Sequence, residues 1–272
     1  MVTSDPVRLE WSHPAGTVAD LILARPKARN AFDDGLGRDL TVVFSDLSRM
    51  PAERLRAVVL SGDGAAFCAG ADIGWMKAAA TLGEEANRRS AETMADMFEA
   101  IDRCPSPVVA QVHWVALGGV SLLCAVADIV IAEAATTFGF TEVRLGILPA
   151  VIAPYVLARI GEGHARALFA SGARFNADRA RDIGLVHEVA TGSEALRTSV
   201  AAAVSGLLAA GPQAARAAKA LIGDLRGRSH QEARTQTTRL IAEIRVSGEA
   251  QEGLRAFLER RRPAWDPTDP SS

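Results

Sequence analysis

A chain of 272 residues, 49% of them hydrophobic and 23% charged, fits one large domain or one domain with an appendage. That length buries a core without disulfide or metal staples. A formal net charge of −2 excludes the strongly basic footprint of a nucleic-acid binder, and nine Phe, four Trp and one Tyr are too few for a base-stacking platform.

At the N-terminus no basic stretch precedes an apolar run, so no secretory leader is expected. Residues 7–11 (VRLEW) and 17–23 (TVADLIL) alternate in polarity around His13-Pro14-Ala15-Gly16, a hairpin pattern stopped by Arg25-Pro26. Apolar spacing at Leu36, Leu40, Val43, Phe44 and Leu47 predicts a helix packed on a sheet. Three short apolar runs, Val58-Val59-Leu60, Val108-Val109-Ala110 and Ile129-Val130-Ile131, predict strands buried on both faces. Residues 114–127 are uncharged but shorter than the ~20 residues a membrane span needs, so they read as a buried core element. Helical stretches between the strands complete an α/β alternation. Near residue 192 the composition turns Ala-rich. Residues 200–210 read as helix, Gly211-Pro212 as a break, and 231–262 as a charged amphipathic run. The expected division is therefore a core over 1–191 and a helical appendage over 192–272, packed on the core or on another subunit. Residues 266–270 (DPTDP) read as disordered. Cys68, Cys104 and Cys124 cannot all pair and form no CxxC, which fits a reducing, cytoplasmic setting.

Three segments are candidates for chemistry. Residues 61–73 (SGDGAAFCAGADI) gather small residues after a buried strand, and such a turn can aim free N–H groups at a developing negative charge. An ordinary strand-to-helix turn accounts for the same residues. Residues 116–123 (ALGGVSLL) set paired glycines before an apolar helix, a second candidate donor, with close helix–strand packing as the alternative. In residues 138–149 (FGFTEVRLGILP), Glu142 has apolar neighbours, where burial would raise its pKa toward a useful acid/base value. Arg144 offers the alternative of a structural ion pair, and spacing does not choose between them. Cys68 has no evident paired histidine, and Ser121 lacks the flanking glycine of a nucleophile elbow. His13, His164, His187 and His230 are scattered, so no metal site is indicated.

Taken in order, RPKARNAF (25–32), FCAGADI (67–73), Gly118-Gly119, Glu142 and EGLRAFLERR (252–261) resemble the crotonase superfamily, the enoyl-CoA hydratases and isomerases. The likeness covers nearly the whole chain. Residues 143–156 look most like the branch that hydrates 3-methylglutaconyl-CoA or geranoyl-type CoA esters. The resemblance implies a spiral of ββα turns with a C-terminal helical region that builds homotrimers, often paired into hexamers. It implies an acyl-CoA thioester as substrate, with no separate cofactor because coenzyme A is part of that substrate, and neither nucleic acid nor membrane as partner. By the same resemblance, the N–H groups of Ala71 and Gly119 would hold the thioester oxygen and Glu142 would be the acid/base. Lys27, Ala28, Ala69, Ala71, Asp72, Ile73, Gly74 and Gly119 would line the substrate path. Phe257 and Arg260 would close over the adenine end from a neighbouring subunit.

The sequence departs from the family pattern at one catalytic position. The first of the hydratases' two glutamates falls at Leu122, and no acid occurs between Gln111 and Asp128. Asp128 falls where the family places a structural aspartate. The usual Asn-Gly before the turn reads His113-Trp114, and Val120 replaces a third glycine. His113 is the nearest substitute for the missing acid, although a lone histidine beside an apolar stretch is more often a hydrogen-bonded core residue. The expectation is hydration of a 2-enoyl-CoA in fatty-acid or branched-chain acyl-CoA breakdown. A Δ3-Δ2-enoyl-CoA isomerase using the same glutamate is the alternative, followed by an acyl-CoA-binding homologue without catalysis.

Overall fold

The computed structural model describes residues 3–4, 6–13, 16–118 and 121–266, with backbone alone for 3, 4, 121 and 122. The expected turn at Pro14-Ala15 and the tail from Pro267 lie outside the described residues.

The alternating segments form the expected hairpin. Strand β2 (Val7–Ser12) pairs antiparallel with β3 (Val18–Leu23), and β1 (Thr3–Ser4) lies on its outer edge. The apolar runs become β4 (Ala57–Gly62), β5 (Val108–Val112) and β7 (Ile129–Glu133), and β10 (Glu188–Ala190) ends the sheet. The order is β1-β2-β3-β4-β5-β7-β10, parallel from β3 onward.

The runs lack alternation because both faces are covered. Val58, Leu60, Val108, Ala110, Val130 and Ala132 join the main core with helices α1 (Asp34–Ser48) and α3 (Glu84–Asp102). Ala57, Val59, Val109 and Ile131 face the other way, onto α7 (Gly192–Ala209). That helix buries Leu196, Val200, Val204 and Leu208, one per turn, each worth ~1.5–3 kcal/mol by transfer from water. The compositional change at residue 192 thus marks the second covering layer of the sheet.

Two sequence expectations change. The 114–127 run is not one element. It divides into β6 (Val115–Leu117) and α4 (Ser121–Val126), and β6 belongs to a second sheet with β8 (Thr137–Gly139) and β9 (Arg174–Asn176), ordered β6-β8-β9. The run over 231–262 divides into α9 (His230–Arg245) and α10 (Gly248–Leu258), because the Ser247 hydroxyl accepts from the Ala250 amide at 3.2 Å and starts a new helix. The remaining helices are α2 (Ile73–Ala79), α5 (Ala153–Ser171), α6 (Ala177–Asp182) and α8 (Pro212–Asp224).

A buried arginine and two half-buried cations fasten the C-terminal helices to the core. Arg56, before β4, donates to the carbonyls of Leu208 and Ala210 at 2.9 and 2.6 Å. On α8, Arg216 donates to Met50 O (2.8 Å) and Leu55 O (3.0 Å), and Lys219 meets Asp128 Oδ2 at 2.6 Å. Asp128 Oδ2 also accepts from the Val108 amide at 2.7 Å, so this aspartate ties β5, β7 and α8 together, as expected of a structural residue. Among the described residues no helix is long and apolar enough to cross a membrane.

Candidate active site

The site begins with the turn after β3. Pro26–Ala28 form one 3-10 turn, after which Arg29 and Asn30 adopt left-handed backbone with φ of 51° and 54°. Asparagine tolerates that conformation better than most residues, and here its side chain is fully buried and fully used. Asn30 Oδ1 accepts from the Arg25 amide at 2.8 Å, and Nδ2 donates to Asp63 O (3.0 Å) and Ala66 O (2.8 Å). This side chain therefore locks the 25–32 turn onto the 61–73 turn.

A single parallel bridge, Phe32 to Ala71, then fixes the small-residue loop. The Phe32 amide donates to Gly70 O at 2.8 Å, and the Asp72 amide donates to Phe32 O at 2.7 Å. In such a bridge the intervening residue turns its own N–H away from the partner strand. The Ala71 amide accordingly donates to no acceptor among the described residues. Arg25 holds both sides of the bridge: its guanidinium meets Asp33 at 2.7 Å, Ala31 O at 2.8 Å and Asp72 at 3.2 Å. The two aspartates cap α1 and α2 in turn. Gly70 has φ +103°, and a methyl group there would fall 3.0 Å from Leu117 O, so glycine is required for the loop to lie against β6.

Glu142 arrives from the second sheet. Leu117 at the end of β6 pairs with Gly139 at the end of β8, which carries the following turn (Glu142–Leu145) back toward Gly118. A methyl group on Gly118 would sit 3.8 Å from Glu142 Oε1 and 3.9 Å from Gly70 Cα. Oε2 of Glu142 is buried and has no hydrogen-bond partner. Burial pushes the carboxyl above its ordinary pKa, and its own backbone amide offsets part of that rise. No ion pair joins it to Arg144 among the described residues, so the alternative of a structural pair with Arg144 is not what the fold forms.

Ala71 lines two cavities. The larger, a cleft of about 770 Å³, is lined by Lys27, Ala28, Ala69, Ala71, Asp72, Ile73 and Gly74, so the structure brings this part of the expected set together. The cleft also carries Arg29, Trp114, Thr137 and Arg174, which the sequence reading missed. Arg29 lies in the very turn that was singled out, and its guanidinium sits over the Trp114 ring at 5.9 Å. Arg174 had no local signal, because β9 brings it in from another part of the chain. Asp72 shares Arg25 with Asp33 and is the one acid among the described lining residues, so three cations, Lys27, Arg29 and Arg174, outnumber it and set the sign of the cleft. The smaller cavity, about 280 Å³, is lined by Phe32, Ala71, Trp75, Met94, Glu142 and the 147–152 segment, among others. A free amide and an unpaired carboxyl at the junction of a cationic cleft and an apolar pocket can polarise a carbonyl and move a proton at the carbon beside it.

The remaining expected residues do not line these cavities or lie outside the described residues. Gly119 lies outside the described residues. Phe257 and Arg260 line neither cavity, and Phe257 is 80% exposed on α10. His113 lines neither cavity, and its Nε2 is hydrogen-bonded to Gly64 O at 3.1 Å, which is the structural reading of that histidine. Cys68 is buried against Asn30 O, and burial pushes its thiol up to about 12, so it is a packing residue. No group of three metal-ligating side chains occurs among the described residues.

Comparison with known proteins agrees with this geometry. Residues 14–268 match the enoyl-CoA hydratase/isomerase family. The chain is 33% identical over 251 residues to enoyl-CoA hydratase AKT6-1 of Alternaria alternata, covering 91% of this chain and 80% of that one. It is 31% identical over 258 residues to enoyl-CoA isomerase/hydratase fer4 of Mycosarcoma maydis, covering 91% and 92%. Among solved structures, AtuE of Pseudomonas aeruginosa superposes with a TM-score of 0.92 at 34% identity, over 96% of this chain and all of that one (100%).

Proposed function

Because the chain belongs to the enoyl-CoA hydratase/isomerase family, we propose that it hydrates the 2,3-double bond of an acyl-CoA thioester, with Glu142 as its single acid/base. The observation that carries this reading is the unpartnered, buried Glu142 Oε2 in an apolar pocket that shares Ala71, with its free amide, with the cationic cleft. The phosphates of coenzyme A lie in the cleft with Lys27, Arg29 and Arg174, and the acyl group enters the apolar pocket. The thioester oxygen accepts from the Ala71 amide, with Gly119 as second donor by family resemblance. Glu142 takes a proton from water as its oxygen bonds to C3. The electron pair moves onto the thioester oxygen, and Glu142 returns the proton to C2. Each oxyanion donor of this kind is worth ~10²–10³ in rate.

The lone carboxylate also supports a second reading. Isomerisation needs one base and no second acid to hold water, and Glu142 would carry a proton between C2 and C4 of a 3-enoyl thioester. A panel of 2-enoyl and 3-enoyl thioesters in ¹⁸O-labelled water and in D₂O separates the two. Incorporation of ¹⁸O into the product is expected for hydration, and a shifted double bond without ¹⁸O, with or without deuterium, assigns isomerisation. Binding with neither a hydrated nor an isomerised product overturns both and leaves a non-catalytic thioester binder.

Self-association into trimers or paired trimers is part of the same proposal. Leu254, Phe257 and Leu258 are exposed on α10, and an apolar groove lies between α8 and α9, lined by Leu221, Leu240 and Ile244. Light scattering at micromolar concentration tests it, and a monomer there would overturn it. Three free, buried cysteines support the proposal of a reducing, cytoplasmic location.

A further inference from the structure

We propose that the acyl group is an uncharged aliphatic chain, and that thioesters ending in a second carboxylate are rejected. This rests on the reading that the pocket beside Glu142 receives the acyl group.

Charge decides the argument. Among the described lining residues of that pocket there is no Lys, Arg or His. Its one acid is Glu142, with a buried oxygen already lacking a partner. The two polar side chains on its α3 wall have committed donors. Asn87 Nδ2 donates to Ala79 O at 3.2 Å and Leu82 O at 3.1 Å, and Ser90 Oγ donates to Asp34 Oδ1 at 2.6 Å. Asp34 thereby sets a second carboxylate behind the wall. Arg88 and Arg89, on the same helix, are exposed and paired with Glu85 and Glu92. The Trp75 indole offers a neutral donor only, which does not balance a full charge. A carboxylate at the end of the acyl chain would therefore give up part of its hydration to apolar walls, meet acids on two sides and find no cation. An aliphatic terminus meets the Phe32, Met94 and Ile152 side chains and loses nothing.

The reading disfavours a 3-methylglutaconyl group, which ends in a carboxylate, and keeps branched or straight neutral chains.

The test compares 2-octenoyl-CoA with the mono-CoA thioester of 2-octenedioic acid, which differ only at the far end of the chain. The neutral substrate is expected to have kcat/KM higher by ~10² or more, since even an added hydroxyl is discriminated by ~10² where a site leaves a polar group unpaired. Ala91 on α3 lines the pocket, and Ala91→Arg adds the missing cation; it is expected to raise kcat/KM for the diacid thioester by about tenfold or more. Calorimetric binding of the unreactive octanoyl- and suberoyl-CoA pair reads the pocket without catalysis. Equal use of both enoyl substrates, equal binding of both saturated ones, or an unchanged ratio in Ala91→Arg overturns the inference. Selective binding of octanoyl-CoA with no turnover of any enoyl thioester upholds the pocket reading and overturns the proposed catalysis instead.

Discussion

Replacing Glu142 with Gln should abolish activity and stabilise the protein. The side chain keeps its shape but loses its base, and general acid–base catalysis is worth ~10²–10⁴ in rate. The stability effect follows from the buried oxygen. Glu142 Oε2 has no partner, and burial holds the carboxyl pKa above its ordinary value. The folded protein therefore binds this proton more tightly than the unfolded chain does. Stability falls as pH rises from the ordinary carboxylate range through the raised pKa, and stays at the lower level above it. Gln carries no charge and escapes that loss. An unsatisfied buried polar group costs ~1–3 kcal/mol, and the amide retains part of that cost, so a gain of about 1 kcal/mol is expected at pH 7. In a chain of this size that is a Tm increase of roughly 2 °C. Paired thermal melts of both proteins between pH 4 and 8, with turnover measured on the same samples, give both quantities. The gain should vanish toward pH 4, where the wild-type carboxyl is also neutral. Turnover within about tenfold of wild type, or a variant less stable at pH 7, would refute the assignment of Glu142 as a desolvated base.

Gly70→Ala should lower kcat and cost ~1–3 kcal/mol in chemical denaturation, because a side chain at φ +103° is strained and its methyl group meets Leu117 O at 3.0 Å. Asn30→Ala strands three polar groups in a fully buried turn, and about 3 kcal/mol of destabilisation in urea is expected, against near-zero for an exposed asparagine. Arg25→Lys keeps the charge but loses the fork that spans Asp33 and Asp72; kcat should fall by about tenfold with KM within about threefold, as steady-state kinetics will show. Arg174→Ala should raise KM for the CoA thioester by roughly fivefold or more at low salt and leave the short pantetheine thioester unaffected, which marks a phosphate contact.

The residue order already contained much of this protein. Runs such as Val58-Val59-Leu60 without alternation require both faces to be covered, and helically spaced apolar positions on α1 such as Leu36, Leu40 and Leu47 require one; these are local consequences of period and burial. The 61–73 segment is likewise legible, because close backbone approach favours small residues such as Gly70, whereas 25–32 is marked in the sequence only by the family resemblance. Tertiary structure alone decided what those segments meet. Glu142 reaches Gly118 because β6 and β8 pair in one register, and Arg174 enters the cleft because β9 joins the same sheet. Whether Glu142 would pair with Arg144 or stay alone was equally a matter of packing, since two residues of separation permit either. Period reports which face of an element is buried. Register between distant strands, and the absence of a counter-ion inside a pocket, depend on contacts far apart in the chain, and only the folded molecule contains them.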